Sequence, residues 1–329
     1  MEKNGILVTG GAGYIGSHIV RHLVEAGEKV IILDNLSTGF RDSVLGGELI
    51  VGDVGDQVLV EHLIRERDID TVIHLAAHTA VSESVREPLR YYKNNTCASR
   101  SLLDVCATTS IRHFIFSSSA AVYGIPQEAQ VNENTPTAPI NPYGTSKLMT
   151  EWMLRDLVAV TKIRHVTMRY FNVAGSDPQG RIGQSTVNAT LLIKVACEAA
   201  IGARKEIVIF GTDYPTPDGT GVRDYIHVED IATAHLMALD YLRRGNSSTT
   251  LNCGYEHGYS VREVLDMVQH VSGTTLCIRT AVRRDGDPPI LVANANKIKR
   301  TLNWKPQYDD LEDIVRTSLE WEQKLHINK

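Results

Sequence analysis

The chain has 329 residues, 43% of them apolar and 22% charged, the balance of a soluble globular protein with room for about two domains. Its net charge of −5 gives no electrostatic reason to expect nucleic acid or an acidic membrane as partner. No apolar run approaches the roughly 20 residues that a bilayer-spanning helix needs, so no membrane partner is expected.

The first residues, Met1-Glu2-Lys3-Asn4-Gly5, lead directly into a strand-like run without the apolar core and cleavage site of a secretory leader. Cys97, Cys106, Cys197, Cys253 and Cys277 are odd in number and widely spaced, which predicts free thiols in a reducing, cytoplasmic setting. His18 and His22 are the best-spaced histidine pair, yet no carboxylate or cysteine cluster accompanies them, and no metal is expected.

Strand-like and helical patterns alternate. Ile6-Leu7-Val8 precedes a helical stretch over Tyr14–Ala26, and Val30-Ile31-Ile32-Leu33 and Leu49-Ile50-Val51 follow. A helix near Val58–Arg67 leads to Thr71-Val72-Ile73-His74-Leu75, and a longer one is predicted over Pro88–Thr108. Phe114-Ile115-Phe116 runs into Ser117-Ser118-Ser119, and a helix bearing Tyr143 and Lys147 precedes Val166-Thr167-Met168. Continuous apolar strands separated by helices predict an α/β fold with a Rossmann-type, doubly wound parallel sheet covered on both faces. After about Asn172, loops rich in Gly, Asp and Pro interrupt shorter elements. Residues 1–173 are read as a dinucleotide-binding domain, to which some later segments return. Residues 174–329 are read as a smaller C-terminal substrate-binding region.

Thr9-Gly10-Gly11-Ala12-Gly13-Tyr14-Ile15-Gly16 lies between the first strand and the first helix. Glycines there permit a tight turn, close approach of a pyrophosphate and close helix–strand packing, while the helix start offers N–H donors. Asp34 ends the second strand, where an acid binds adenosine ribose hydroxyls and repels a 2′-phosphate, so NAD is favoured over NADP. Asp53 is read as ending the third strand, where it either meets the adenine or belongs to an ordinary Gly-Asp turn. Tyr143 and Lys147 stand one helical turn apart and share a face. A lysine cation near a phenol favours the phenolate, which makes the pair a candidate general acid/base.

These motifs, with Asp34-Asn35, the serine run and Arg169-Tyr170-Phe171-Asn172, occur in an order that resembles the extended short-chain dehydrogenase/reductase family. The run from Ile209 to Val228, with Asp218-Gly219-Thr220-Gly221-Val222-Arg223-Asp224-Tyr225, is similar to its UDP-glucose 4-epimerase branch, and Arg283-Arg284-Asp285-Gly286-Asp287-Pro288 agrees. The resemblance covers nearly the whole chain. It implies NAD held throughout turnover and a UDP-sugar inverted at C4 through a 4-keto intermediate. It assigns Tyr143 as the base, Lys147 as its partner on the nicotinamide ribose that also lowers the Tyr143 pKa, and Ser119 as a hydrogen-bonding relay. For the cofactor it implies Gly10, Gly13, Tyr14, Ile15, Gly16, Asp34, Asn35, Asp53, Val54, Leu75, Ala76, Ala77, Asn94, Ser117 and Tyr170, besides Tyr143 and Lys147. For the substrate it implies Thr79, Asn172, Leu191, Arg223, Arg284, Asp287 and Leu291, besides Ser119 and Tyr143. Two arginines suit a diphosphate because the guanidinium fork matches phosphate oxygens. The helices near Pro88–Thr108 and Pro142–Val160 resemble those of a four-helix homodimer interface, although their sequence also suits packing within the domain.

Some positions depart from the pattern. Thr79 stands where some relatives have lysine, Leu191 where they have a polar residue, and Ala121 where threonine is frequent. Leu291 occupies the place of a tyrosine that excludes N-acetylated sugars, which implies some tolerance of UDP-N-acetylglucosamine; it also suits a plain core position. A sugar-nucleotide dehydratase would place an acidic pair after the serine run, and Ser119-Ala120-Ala121-Val122 has none. A dinucleotide-sensing module on the same fold would not need Ser119, Tyr143 and Lys147 together.

Overall fold

A computed structural model describes residues 4–187, 189–284 and 286–327. The readings made for Met1–Lys3 and for Asp285 lie outside the described residues. The chain forms two compact units that interleave along the sequence. The first comprises Met1–Gly124, Thr137–Arg169 and Ala232–Leu251, and the second Ile125–Pro136, Tyr170–Ile231 and Asn252–Lys329. The sequence reading placed a boundary after residue 173, with some later segments returning to the first domain.

The first unit carries β1 (Gly5–Thr9), β2 (Val30–Asp34), β3 (Glu48–Val51), β4 (Ile69–His74) and β5 (His113–Ser119). With the strands Arg164–Tyr170 and Thr249–Cys253 they form a seven-stranded sheet. Its order is Thr249–Cys253, Arg164–Tyr170, β5, β4, β1, β2, β3. The pairs β1–β2, β1–β4, β2–β3 and β4–β5 are parallel. β1 and β2 are buried at every residue, as unbroken apolar runs require in a sheet covered on both faces. Order reverses between β1 and β4, the switch point at which such sheets open a ligand crevice beyond the strand C-termini.

Helices α1 (Tyr14–Glu25), α2 (Gln57–Glu66), α3 (Val81–Arg86), α4 (Pro88–Tyr91), α5 (Ala98–Thr108) and α6 (Pro142–Val158) belong to the same unit. Leu7, Ile31, Leu33, Val72, Leu102 and Phe114 belong to one core cluster with Leu63 of α2 and Leu154 of α6. Two details differ from the sequence reading. β3 stops at Val51, so Asp53 lies in the loop beyond it. The single helix expected over Pro88–Thr108 is α4 and α5 joined by a π-helical stretch, Tyr92–Cys97. Those wider turns hold buried Asn95, whose side chain takes the His78 N–H at 2.8 Å and donates to the His78 carbonyl and Ser146 Oγ, each at 3.0 Å. Local apolar periodicity carries no signal for an inserted residue of this kind.

The second unit holds a four-stranded sheet in the order Tyr259–Ser260, Val222–Arg223, Ile290–Ala293, Gln130–Val131. Two parallel pairs accompany it, Asn172–Ala174 with Tyr225–His227 and Ile207–Phe210 with Ile278–Ala281. Helices Leu192–Ala200, Val261–Ser272 and Leu311–Ile327 pack on one another. Ser260 and Glu263 form a reciprocal capping box at the start of the second of these. No helix among the described residues is long and apolar enough to cross a membrane.

The start of α6 is fixed by sequence. Asn141 caps it by accepting the Gly144 N–H at 2.8 Å, and Pro142 occupies the first turn, where its missing N–H costs nothing. Gly144 packs so closely on the turn after β5 that a Cβ there would lie 2.6 Å from the Ala121 carbonyl oxygen. Overpacking costs about 1–3 kcal/mol, more than the ~1 kcal/mol an alanine gains in helix propensity. Gly144→Ala is therefore expected to lower the thermal midpoint, and calorimetry of the purified variant checks the sign.

Candidate active site

In the first unit, Gly10 is in the left-handed region (φ 73°), and a Cβ on it would stand 2.6 Å from the Ala76 nitrogen. A Cβ on Gly16 would stand 2.1 Å from the Gly10 carbonyl oxygen. Glycine is thus needed for the turn at one position and for seating α1 on it at the other. Gly13 is the N-cap of α1, leaving the N–H groups of Tyr14, Ile15 and Gly16 at the helix start. Leu75, Ala76 and Ala77, half-buried, continue from β4 beside this turn, and Val54 is buried. Asp34 is buried at the end of β2 and accepts the Ala12 N–H at 2.9 Å and the Leu36 N–H at 2.8 Å. Asn35 reaches Asp53 at 3.4 Å, so the two predicted adenosine-side residues meet. Half-buried Asn94 donates to Asn95 at 3.0 Å. Among these groups, the cradle that a Cβ would fill and the carboxylate at the strand end fit a dinucleotide bearing free ribose hydroxyls.

Ser117, Ser119, Tyr143 and Lys147 come together where β5 ends and α6 begins. Lys147 is 4% exposed; its Nζ donates to the Ser117 carbonyl at 2.8 Å and stands 5.2 Å from the Phe116 ring centre. Burial brings its pKa down from 10.5 to about 7. Burial acts oppositely on the half-buried Tyr143 phenol, raising its pKa, while a hydrogen bond with Ser119 pulls it back. The Nζ of Lys147, the group expected to lower the phenol's pKa, meets the Ser117 carbonyl, while Ser119 bonds the phenol. Ser119 Oγ also accepts the Ala121 N–H at 3.2 Å. Sequence reading missed His74, held between Thr9 Oγ1 (2.6 Å) and Ser99 Oγ (2.8 Å) and kept neutral by burial, with a pKa of about 3. Only its place at the end of β4 hinted at it.

In the second unit, Asn172 and Leu191 line one cavity with Gln184, Lys194, Tyr225 and Trp321. Lys194 and Glu322, both buried, form an ion pair in its wall. Arg223 stands in register with Leu291, which is buried, and its guanidinium lies 3.7 Å from Asp287. Arg284 lies over the Phe210 ring at 4.0 Å, a half-exposed aromatic face that the sequence reading passed over. Thr79 is exposed and Tyr170 buried.

Residues 6–254 match the model of the NAD dependent epimerase/dehydratase family. The chain belongs to that family. A UDP-glucose 4-epimerase of Azospirillum brasilense is 52% identical over 97% of this chain and 92% of its own length. The crystal structure of the Brucella ovis UDP-glucose 4-epimerase in complex with NAD superposes with a TM-score of 0.93 at 40% identity, covering 96% of this chain and 97% of that one. The UDP-Glc/GlcNAc 4-epimerase of Campylobacter jejuni is 45% identical with a TM-score of 0.86, covering 98% and 99%.

Within this family member, Lys147 sets a measurable cost. Below about pH 7 the folded chain must hold a desolvated ammonium; above 10.5 the amine is neutral folded or unfolded. Between those limits the unfolded chain binds more protons, so this group makes stability rise with pH. In protein stripped of nucleotide, Lys147→Met is expected to stabilise the fold. The gain should be largest below pH 7 and fade toward 10.5, as urea denaturation across that range will read.

Proposed function

We propose that this chain is a UDP-glucose 4-epimerase, interconverting UDP-galactose and UDP-glucose with NAD retained through turnover. The observation that carries the reading is the junction of β5 and α6, which assembles a hydroxyl, a phenol and a buried amine in the same unit as a dinucleotide-type glycine turn. Gly10, Gly13, Gly16 and Asp34 would hold the cofactor's pyrophosphate and adenosine ribose, with Asn35, Asp53, Asn94, Ser117 and Lys147 along it. When bound, NAD supplies reversible hydride acceptance at the sugar C4, returning the hydride to the opposite face of the 4-keto sugar.

Tyr143 takes the proton of the sugar 4-hydroxyl as a general base and gives it back to the same oxygen in the second half-reaction. Ser119 hydrogen-bonds that oxygen and relays the proton. Lys147 supplies a positive charge near the phenolate and orients the nicotinamide ribose. Asn172, Leu191, Arg223, Arg284 and Asp287 hold the UDP portion, the arginines on the diphosphate. Thr79 would meet the sugar, as the resemblance implies. No carboxylate follows Ser119 to eliminate water, which favours epimerisation over dehydration. Leucine at position 291 and the Campylobacter relative's two substrates support a side activity on UDP-N-acetylhexosamines.

A homodimer is part of this reading. Val85 of α3, Leu89 of α4 and Trp152 of α6 are 62%, 79% and 46% exposed, and α3 and α4 both pack on α6. Sedimentation should give twice the chain mass, and a single-chain mass at micromolar concentration would remove the dimer. Cytoplasmic residence and a role in galactose metabolism complete the reading.

The enzyme is tested by NMR with UDP-galactose and no added NAD. UDP-glucose should appear and the reaction should stop at a mixture; accumulation of a keto sugar or NADH would overturn epimerisation. UDP-N-acetylgalactosamine left untouched at enzyme levels that epimerise UDP-galactose removes the side activity. Tyr143→Phe should retain NAD and lose about 10²-fold or more in kcat, the usual scale of a lost acid/base.

A further inference from the structure

α6 bears a third polar residue on the face of Tyr143 and Lys147. Glu151 follows Lys147 by one turn and Tyr143 by two. Each of the three bonds a different one of the three serines that end β5. Tyr143 meets Ser119, and Lys147 donates to the Ser117 carbonyl at 2.8 Å. Ser118 Oγ donates to Glu151 Oε1 at 2.5 Å. Both Glu151 oxygens are then taken by Arg169, whose Nε lies 3.0 Å and Nη2 2.6 Å away. Arg169 also donates to the Tyr123 hydroxyl at 2.9 Å, with its guanidinium 4.9 Å from that ring's centre. Ser118, Glu151 and Arg169 are all at least nine-tenths buried.

We propose that Glu151, anchored by Arg169, is a positioning residue that fixes the axial register and rotation of α6 against β5, and so sets where Tyr143 and Lys147 stand. This deepens the catalytic reading of Tyr143 and Lys147 and rests on it. The three contacts are unequal. The Tyr143–Ser119 bond is between neutral groups and the Lys147 bond is single. Glu151 adds to its Ser118 bond a bidentate, charge-assisted pair with Arg169 of the strand beside β5, a class roughly twice as strong as neutral bonds and directional in two atoms. A buried ion pair is weak evidence for stability, since apolar packing often does as well. What packing does not supply is a definite register, and register decides the position of the reacting phenol on this helix.

The experiment compares Ser118→Ala, which removes one contact without stranding a charge, with the double variant Glu151→Gln/Arg169→Met, which removes both charges together. Both are assayed for kcat and KM with UDP-galactose at a temperature where circular dichroism shows them folded, and for bound NAD. A misplacement of about 1 Å costs on the order of 10²-fold in rate, so the double variant should lose about 10–100-fold in kcat and Ser118→Ala about 3–10-fold. KM and NAD content should remain near wild type. Wild-type kcat in both variants, or a fall in kcat matched by an equal rise in KM, overturns the proposal. Tyr143→Phe is run beside them. If it stays active, the catalytic reading itself fails; if it is inactive while both variants turn over normally, only the role of Glu151 fails.

Discussion

Lys147 is drawn out of water to within 2.8 Å of the Ser117 carbonyl, and much of the first unit is arranged around that placement. Burial disfavours the charged form of an amine, and an acceptor such as this carbonyl offsets part of that cost. Asn141 starts α6 at the right residue, Gly144 lets its first turn lie on the backbone after β5, and Glu151 grips the strand one turn beyond Lys147. On the other side, Ser146 donates to the Tyr143 carbonyl at 2.7 Å and receives Asn95, which the π-helical stretch turns inward. Sequence, local geometry and packing converge on one helical turn.

The glycine turn shows the same economy with the opposite means. α6 is positioned by side chains, whereas the start of α1 is positioned by their absence. Gly16 lies on the Gly10 carbonyl and Gly10 on the backbone after β4. Asp34 closes the arrangement from β2 by accepting the Ala12 N–H, so the carboxylate that would meet the ribose is also part of the loop's own scaffold. Each ionised oxygen has a second lone pair for a hydroxyl, so the two tasks are compatible.

The succession of the first strands along the chain and the glycine turn were legible in the sequence because each rests on a local pattern: unbroken apolar runs, glycines at fixed spacing and an acid at a strand end. Tyr143 and Lys147 were legible because they sit one turn apart. Glu151 obeys the same spacing and was passed over, since its meaning depends on Arg169, a residue of a different strand that only the fold brings near. Asn95 was hidden by a helix of irregular pitch, and Phe210 by lying in an apolar run that reads as an ordinary strand. The shared helix face of Tyr143 and Lys147 follows from spacing alone, whereas the hydrogen bond of Lys147 to the Ser117 carbonyl depends on how α6 packs against β5. The return of later segments to the first unit was expected, but which ones return could not be read from composition, because residues 125–136 and 232–251 look like their neighbours and belong elsewhere through long-range packing.

The opposite shifts at Tyr143 and Lys147 have one cause. Burial disfavours any net charge, so it holds the phenol protonated and drives the amine toward neutrality. Taken separately, each shift looks unhelpful to a base that must be a phenolate beside a cation. Taken together, they describe two groups on one helix face that burial pushes toward their neutral forms. The neutral pair and the phenolate–ammonium pair differ by the position of a single proton and carry the same total charge. Burial penalises the second state through two separate charges, and their mutual attraction offsets part of that penalty. A positive charge placed closer to the phenol than to the amine favours the phenolate, whereas one placed equally near both also repels the ammonium.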